Sequence, residues 1–70
     1  MEIKDGVILR RTNTGSYWRV IAVKEPDAYW CECLTKKITP HYITKEDIEK
    51  GLYEIGSEAE QILYGNAETI

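Results

Sequence analysis

Two cysteines and one histidine carry the most reactive side chains of this 70-residue chain. Cys31 and Cys33 are separated by one residue, so on a strand their thiols point to the same side, but a disulfide across so short a loop is strained. A structural zinc site needs more ligands, and His41 is the only further soft donor. We therefore expect reduced thiols, half-buried in a core, with no metal and no cofactor. Zinc binding, a redox role and a disulfide between chains are the alternatives.

No arrangement of these residues is typical of an enzyme. His41 stands beside Pro40, no serine or cysteine occupies a nucleophile motif, and no glycine-rich loop opens a helix. Glu46, Asp47 and Glu49 are clustered, but on a short helical turn where carboxylates are usually solvated. We expect a non-catalytic protein.

Length and composition predict one globular domain. With 43% apolar and 30% charged residues, the chain has the balance of a folded protein, and we expect the domain to span residues 1–65, with 66–70 as a frayed tail. No apolar run approaches the roughly 20 residues that cross a bilayer, and Met1 to Asp5 lack the pattern of a signal peptide. These features predict a cytoplasmic protein that does not bind membranes.

The net charge of −3 hides an asymmetry between the two halves of the chain. Residues 1–40 carry seven basic and five acidic groups, whereas residues 41–70 carry two basic and seven acidic groups. Non-specific nucleic-acid binding depends on a basic field and on counterion release. Such a chain is a poor general nucleic-acid binder unless its halves face opposite ways.

Short runs of β-branched and aromatic residues between turn residues predict a mainly β fold with four to five antiparallel strands. The predicted strands span residues 5–12, 17–23, 29–34, 38–43 and 52–55, the fourth being an edge or a bend because Pro40 interrupts it. A helical turn is expected at about 45–50, after Thr44. Ser57 with Glu60 forms a capping box that opens a C-terminal helix at about 58–64.

Two dipeptides, Tyr17-Trp18 and Tyr29-Trp30, determine how the sheet faces are used. Neighbouring residues on a strand point to opposite sides, so each pair sends one ring outward. Burying Arg19 or Glu32 without a partner would cost several kcal/mol. We therefore expect both charges, and with them Tyr17 and Trp30, on the outer face.

A register that pairs Arg19 with Glu32 satisfies these constraints, and a cross-strand ion pair of this kind adds about 0.2–1 kcal/mol. It places Val20 opposite Cys31 and leaves 24–27 as a four-residue hairpin loop. The inner face is then predicted to carry Trp18, Val20, Ala22, Tyr29, Cys31 and Cys33. The outer face is predicted to carry Tyr17, Ile21, Val23, Trp30 and Leu34 around the ion pair.

An outer face this apolar predicts that something covers it. One candidate is the C-terminal helix, through an apolar stripe of Ala59, Ile62 and Leu63; the other is a partner protein or a second copy of the chain, which makes a homodimer possible. The predicted binding site has Tyr17 and Trp30 as aromatic anchors and Arg19 as its polar group, and residues of these types are enriched at interfaces. Its residues are Tyr17, Arg19, Ile21, Trp30, Glu32 and Leu34.

The order of elements resembles the SH3-like small barrels of short bacterial and phage proteins. The resemblance lies in residues 6–10, 17–20, 29–33 and 43–53, covering about residues 3–55; it concerns layout and includes no invariant motif, and an OB-like barrel is the alternative. The resemblance implies an adaptor or binding module for protein or nucleic acid, and fold alone does not choose between these.

The first functional hypothesis is a protein-interaction module, a regulator or inhibitor of a host protein encoded by a phage or prophage or another mobile element. The alternative is a nucleic-acid-binding barrel in which Tyr17 or Trp30 stacks on bases. Its phosphate-binding residues would be Arg10, Arg11, Arg19, Lys36 and Lys37. A third option is that the acidic C-terminal half imitates a nucleic-acid backbone.

Overall fold

The computed structural model describes residues 2–67, which form five antiparallel strands and two short helices. The strands are β1 (Ile8–Arg11), β2 (Tyr17–Lys24), β3 (Ala28–Cys33), β4 (His41–Thr44) and β5 (Tyr53–Ile55), and the helices are α1 (Lys45–Glu49) and α2 (Glu58–Gly65). The mainly β fold class and both helices are confirmed. Residues 68–70 of the predicted tail lie outside the described residues.

The strands form one sheet in the order β4-β3-β2-β1-β5. The first four follow one another as a meander, and β5 returns to pair with β1, so that β4 and β5 form the two edges. The sheet curls into a half-barrel, an arrangement compatible with an SH3-like layout.

The core fills the concave side of the half-barrel, around Trp18. The Trp18 ring is 1% exposed and packs edge-on against His41 and Tyr53, with ring centroids 4.5 and 6.4 Å away. Its indole nitrogen donates a hydrogen bond of 3.1 Å to the hydroxyl of Ser16, so the ring is buried without an unsatisfied donor. Because His41 lies on β4 and Tyr53 on β5, Trp18 connects the two sheet edges. The buried core consists of Val7, Leu9, Trp18, Val20, Cys31, Cys33, Ile43 and Tyr53.

Both cysteines are fully buried in this core as free thiols. Burial raises the pKa of Cys31 to about 12 because the thiolate would lose its hydration. The Cys31 thiol donates to the carbonyl of Tyr29. The chemistry of Cys31 is therefore that of a small apolar side chain.

The predicted register of the central hairpin is confirmed up to Val20, with Arg19 opposite Glu32 and Val20 opposite Cys31. Beyond Val20, a β-bulge corrects the prediction. The extra residue, Ile21, shifts the register so that the inward side chain is Val23, not Ala22, because a bulge exchanges the two faces beyond it.

The same bulge shortens the hairpin. Lys24 pairs with Ala28, so the loop contains the three residues 25–27 in place of the four predicted. On the outer face Ala22 now lies opposite Trp30, and on the inner face Val23 lies opposite Tyr29.

Both helices begin where they were predicted, after Thr44 and Ser57, and each begins with a capping box. The Thr44 hydroxyl accepts from the Asp47 N–H, and the Asp47 carboxylate accepts from the Thr44 N–H. Ser57 and Glu60 make the same reciprocal pair at α2. Gly51, with φ +80°, follows the end of α1 in the left-handed region that favours glycine.

The two tryptophans are expected to contribute very differently to stability. Trp18→Ala removes the centre of the core and lowers the free energy of unfolding by about 3–5 kcal/mol. Trp30→Ala removes one edge-to-face pair and part-buried apolar area on the outer face, and we expect it to cost about 1–2 kcal/mol. Urea denaturation measures both, and equal losses in the two variants would contradict the assignment of faces.

Candidate functional site

The outer face of the sheet is partly covered by α2. The Tyr17 ring stacks on the Tyr64 ring, with centroids 4.2 Å apart and planes 19° apart. The Tyr17 hydroxyl also donates a hydrogen bond to the Glu60 carboxylate. Tyr17, one of the two predicted anchors, therefore contacts the helix of its own chain.

Gln61 binds α2 to the backbone of β1. Its side-chain oxygen accepts from the Ile8 N–H at 2.8 Å, and its nitrogen donates to the Ile8 carbonyl at 2.8 Å and to the Gly56 carbonyl at 3.1 Å. Ile8 is fully buried but lies outside the main core, on the face opposite to Leu9. Gln61 thus satisfies a buried backbone donor in the way a neighbouring strand would.

Arg19 holds the C-terminal end of α2 as well as its predicted partner. Its Nε donates to the Glu32 carboxylate at 2.9 Å. One terminal nitrogen, Nη1, donates to the carbonyls of Gly65 and Ala67, at 3.2 and 2.7 Å. The last turn of α2 contains no basic residue, so the guanidinium from β2 supplies the positive charge that a helix C-terminus favours.

The prediction of which α2 residues cover the outer face is wrong. In the alternative in which the C-terminal helix covers this face, Ala59, Ile62 and Leu63 were expected to lie against the sheet, but all three are exposed, Ile62 by 75% and Leu63 by 70%. The helix contacts the sheet through Glu60, Gln61 and Tyr64 on its other side. The polar contacts available from β1 and β2 outweigh the apolar stripe in setting the rotation of α2.

The part of the outer face beyond α2 carries two aromatic rings. Trp30 on β3 lies opposite Tyr42 on β4, and the rings meet edge-on with centroids 4.8 Å apart. Tyr42 is 49% exposed and Ile21, at the bulge, is 42% exposed. We call Ile21, Ala22, Trp30 and Tyr42 the open aromatic surface.

The six predicted site residues are divided between the two parts of the outer face. Ile21 and Trp30 belong to the open aromatic surface. Tyr17 and Arg19 contact α2 directly, Glu32 is bound to Arg19, and Leu34 is buried opposite Tyr17, whose carbonyl accepts from the Leu34 N–H.

Tyr42 is the residue of this surface that the sequence reasoning missed. Pro40 predicted an edge or a bend, and the alternation of inward and outward side chains after it was not used. The detectable signal was the period of two in β4, where a buried Ile43 implies an outward Tyr42.

Three of the five basic residues proposed for nucleic-acid binding have partners within the chain. Arg10 forms a salt bridge of 3.0 Å with Glu54. Arg11 donates to the Asn13 side chain at 3.0 Å and lies over the Tyr53 ring. Arg19 is bound as described above. The other two, Lys36 and Lys37, are exposed and form no salt bridge within residues 2–67.

Within the described part of the chain, no group of three or more histidine, cysteine or acidic side chains is placed to bind a metal ion, and no pocket opens. None of the helices described is long and apolar enough to span a membrane.

No protein-family model matches this sequence, and searches of curated proteins and of solved structures found no match either. A proposal for the function of this chain therefore depends on its surface chemistry.

A substitution of Gln61 tests whether its hydrogen bonds to Ile8 hold α2 against the sheet. Gln61→Leu makes the helix more apolar, yet we expect it to lower the free energy of unfolding by about 1–3 kcal/mol, because the buried Ile8 N–H loses its acceptor. The matched control, Ile62→Gln, changes an exposed side chain and is expected to stay within about 0.5 kcal/mol of wild type. Urea denaturation compares them; a neutral Gln61→Leu would mean that this contact does not hold the helix.

The Tyr17–Glu60 contact makes the docking of α2 depend on pH. The hydrogen bond from Tyr17 lowers the pKa of Glu60, and the same bond raises the pKa of Tyr17. The contribution of Glu60 to stability is therefore present above about pH 4.3 and is lost as the pH falls through its lowered pKa. That of Tyr17 is present below about pH 10 and is lost as the pH rises through its raised pKa.

We expect the protection of the α2 amides against exchange, measured relative to the intrinsic exchange rate at each pH, to fall at both ends of this pH window. Tyr17→Phe keeps the ring stacked on Tyr64 but removes the hydroxyl, so both pH-dependent losses should become smaller. An unchanged pH profile in Tyr17→Phe would show that this contact is not formed in solution.

Proposed function

We propose that this chain is a small non-catalytic protein-interaction module that binds a partner protein through the open aromatic surface. The observation that carries the proposal is the pair formed by the half-buried Trp30 ring and the exposed Tyr42 ring, on a face where α2 covers Tyr17 but not these two. Tryptophan and tyrosine are the residues most enriched at binding hot spots. A ring pair held on two adjacent strands is also rigid, which limits the entropy lost on binding.

The location of the charges supports a protein partner over a nucleic acid. Arg19 contacts Glu32 and the end of α2, and Arg10 and Arg11 have partners of their own, so most of the predicted phosphate-binding residues are engaged. The net charge of −3 also opposes a polyanionic ligand. Lys36 and Lys37 alone support only weak contact with phosphates.

The half-barrel layout adds support by analogy, since SH3-like small barrels commonly serve as binding modules. We further propose a regulator or inhibitor of a host protein, encoded by a phage or another mobile element and acting in the cytoplasm. The small size and acidic surface of the chain are typical of such proteins.

The test is partner capture that depends on the open aromatic surface. The tagged protein is used to capture partners from nuclease-treated lysate, and the affinity for the captured protein is then measured for wild type, Trp30→Ala and Ile62→Gln. We expect Trp30→Ala to fold and to lose at least about 30-fold in affinity. Ile62→Gln should bind as wild type does, with little dependence on salt.

Two outcomes contradict the proposal. Loss of affinity in Ile62→Gln together with normal binding by Trp30→Ala would place the partner on the exposed side of α2. Binding that appears only in a parallel capture without nuclease, and that falls steeply with salt, would indicate the nucleic-acid alternative.

A further inference from the structure

The β4 strand has an edge without a neighbour among the strands described, and one of its residues presents backbone groups there. The Lys45 N–H donates to the Asp27 carbonyl at 2.8 Å, which makes this a hydrogen-bonded pair in line with the β3–β4 register. Such pairs alternate along an antiparallel ladder. Ile43 and His41 therefore bond to β3, whereas the N–H and C=O of Tyr42 point away from it.

The next outward residue is already occupied. The N–H of Thr44 donates to the Asp47 carboxylate in the capping box of α1. The free edge of β4 therefore offers one complete donor–acceptor set, at Tyr42. A pair of backbone hydrogen bonds centred on one residue suits a two-fold axis, because Tyr42 of one copy can bond to Tyr42 of another in both directions.

The edge is also less protected than the opposite one. Natural sheet edges usually carry charged side chains that prevent pairing with other chains, and the other edge strand, β5, carries Glu54, which is paired with Arg10. Residues 38–44 carry no formal charge. They include Ile38 and Tyr42, which are 42% and 49% exposed.

The segments at the two ends of β4 differ in the sign of their net charge, which is +2 for residues 34–40 and −1 for residues 45–50. The loop before it, residues 34–40, contains Lys36 and Lys37 and no acidic residue. The segment after it, residues 45–50, contains three acidic and two basic residues, of which Lys50 and Glu46 are paired at 2.8 Å. Antiparallel pairing of two copies brings the basic end of one strand to the acidic end of the other.

We propose that two copies of this chain associate through β4, antiparallel about Tyr42, with a hydrogen bond in each direction between the two Tyr42 residues. On the outer face the Tyr42 rings then lie side by side, each backed by its own Trp30. The two open aromatic surfaces become one continuous surface that remains exposed. The dimer thus goes beyond the proposed function and would double the area offered to a partner.

A second copy fits this edge better than a foreign extended segment. An acidic peptide would be attracted by Lys36 and Lys37 but repelled at the α1 end, and a basic peptide would meet the reverse. An occupant that is basic at one end and acidic at the other is complementary at both ends when it lies antiparallel to β4. A second copy of β4 has this charge distribution by symmetry.

Sedimentation of the purified protein tests the proposal without any partner, so its outcome is independent of the binding function. We expect the average mass to rise from near 8.1 kDa to about twice that value with concentration. The dissociation constant should be on the order of 0.1–1 mM, because a contact this small buries well under the ~1,000 Å² of a stable interface. Concentration-dependent amide shifts should centre on Tyr42.

Two sets of variants separate the edge from other surfaces. Tyr42→Pro removes the outward N–H without touching the β3 ladder, and it should raise the dissociation constant at least about tenfold over the Tyr42→Ala control, which lacks only the ring. The Lys36→Glu/Lys37→Glu and Glu46→Lys/Glu49→Lys variants should each self-associate more weakly than wild type. Mixed in equal amounts, they should restore association as a heterodimer.

A chain that stays monomeric at protein concentrations up to about 1 mM, the upper limit of the expected dissociation constant, overturns the proposal. So do assemblies larger than a dimer, amide shifts that centre on Ile62 and Leu63, or equal association by Tyr42→Pro and Tyr42→Ala.

Discussion

The pairing of Arg19 with Glu32 decides which side of the sheet faces the core. Each charge interrupts an otherwise apolar strand, and a register that turned either one inward would bury an ion without its partner. The pair itself is partly exposed, so its direct contribution to stability is on the order of 1 kcal/mol or less. Its importance lies in the alternatives that it excludes, because a one-residue slip would exchange the faces of every residue on the strand.

The same arginine connects the sheet to α2, and this explains the division of the outer face. Arg19 holds the C-terminal carbonyls of the helix, Tyr17 and Gln61 hold its middle, and all three contacts are polar or aromatic. Because these partners lie on β1 and β2, the helix covers that half of the sheet and leaves β3 and β4 open. The rotation that satisfies them also turns Ile62 and Leu63 toward solvent.

These constraints connect the fold to its proposed role. The arginines that a nucleic-acid binder would need are engaged in holding the sheet and helix together. The two rings that α2 leaves uncovered, the half-buried Trp30 and the exposed Tyr42, lie on two paired strands and pack edge-on against each other. The β-bulge at Ile21 contributes by turning Ala22 outward, so that the side chain opposite Trp30 on β2 is a small one.

The sequence alone determined the strands, both helix starts and the register about Arg19, because alternation, capping boxes and the cost of burying a charge are local or pairwise effects. The bulge and the rotation of α2 were decided only by tertiary structure. The bulge has no glycine to mark it, and the apolar spacing of Ala59, Ile62 and Leu63 indicated the wrong helix face. Which face packs depends on where Gln61 and Tyr64 find partners on distant strands, and no local pattern contains that information.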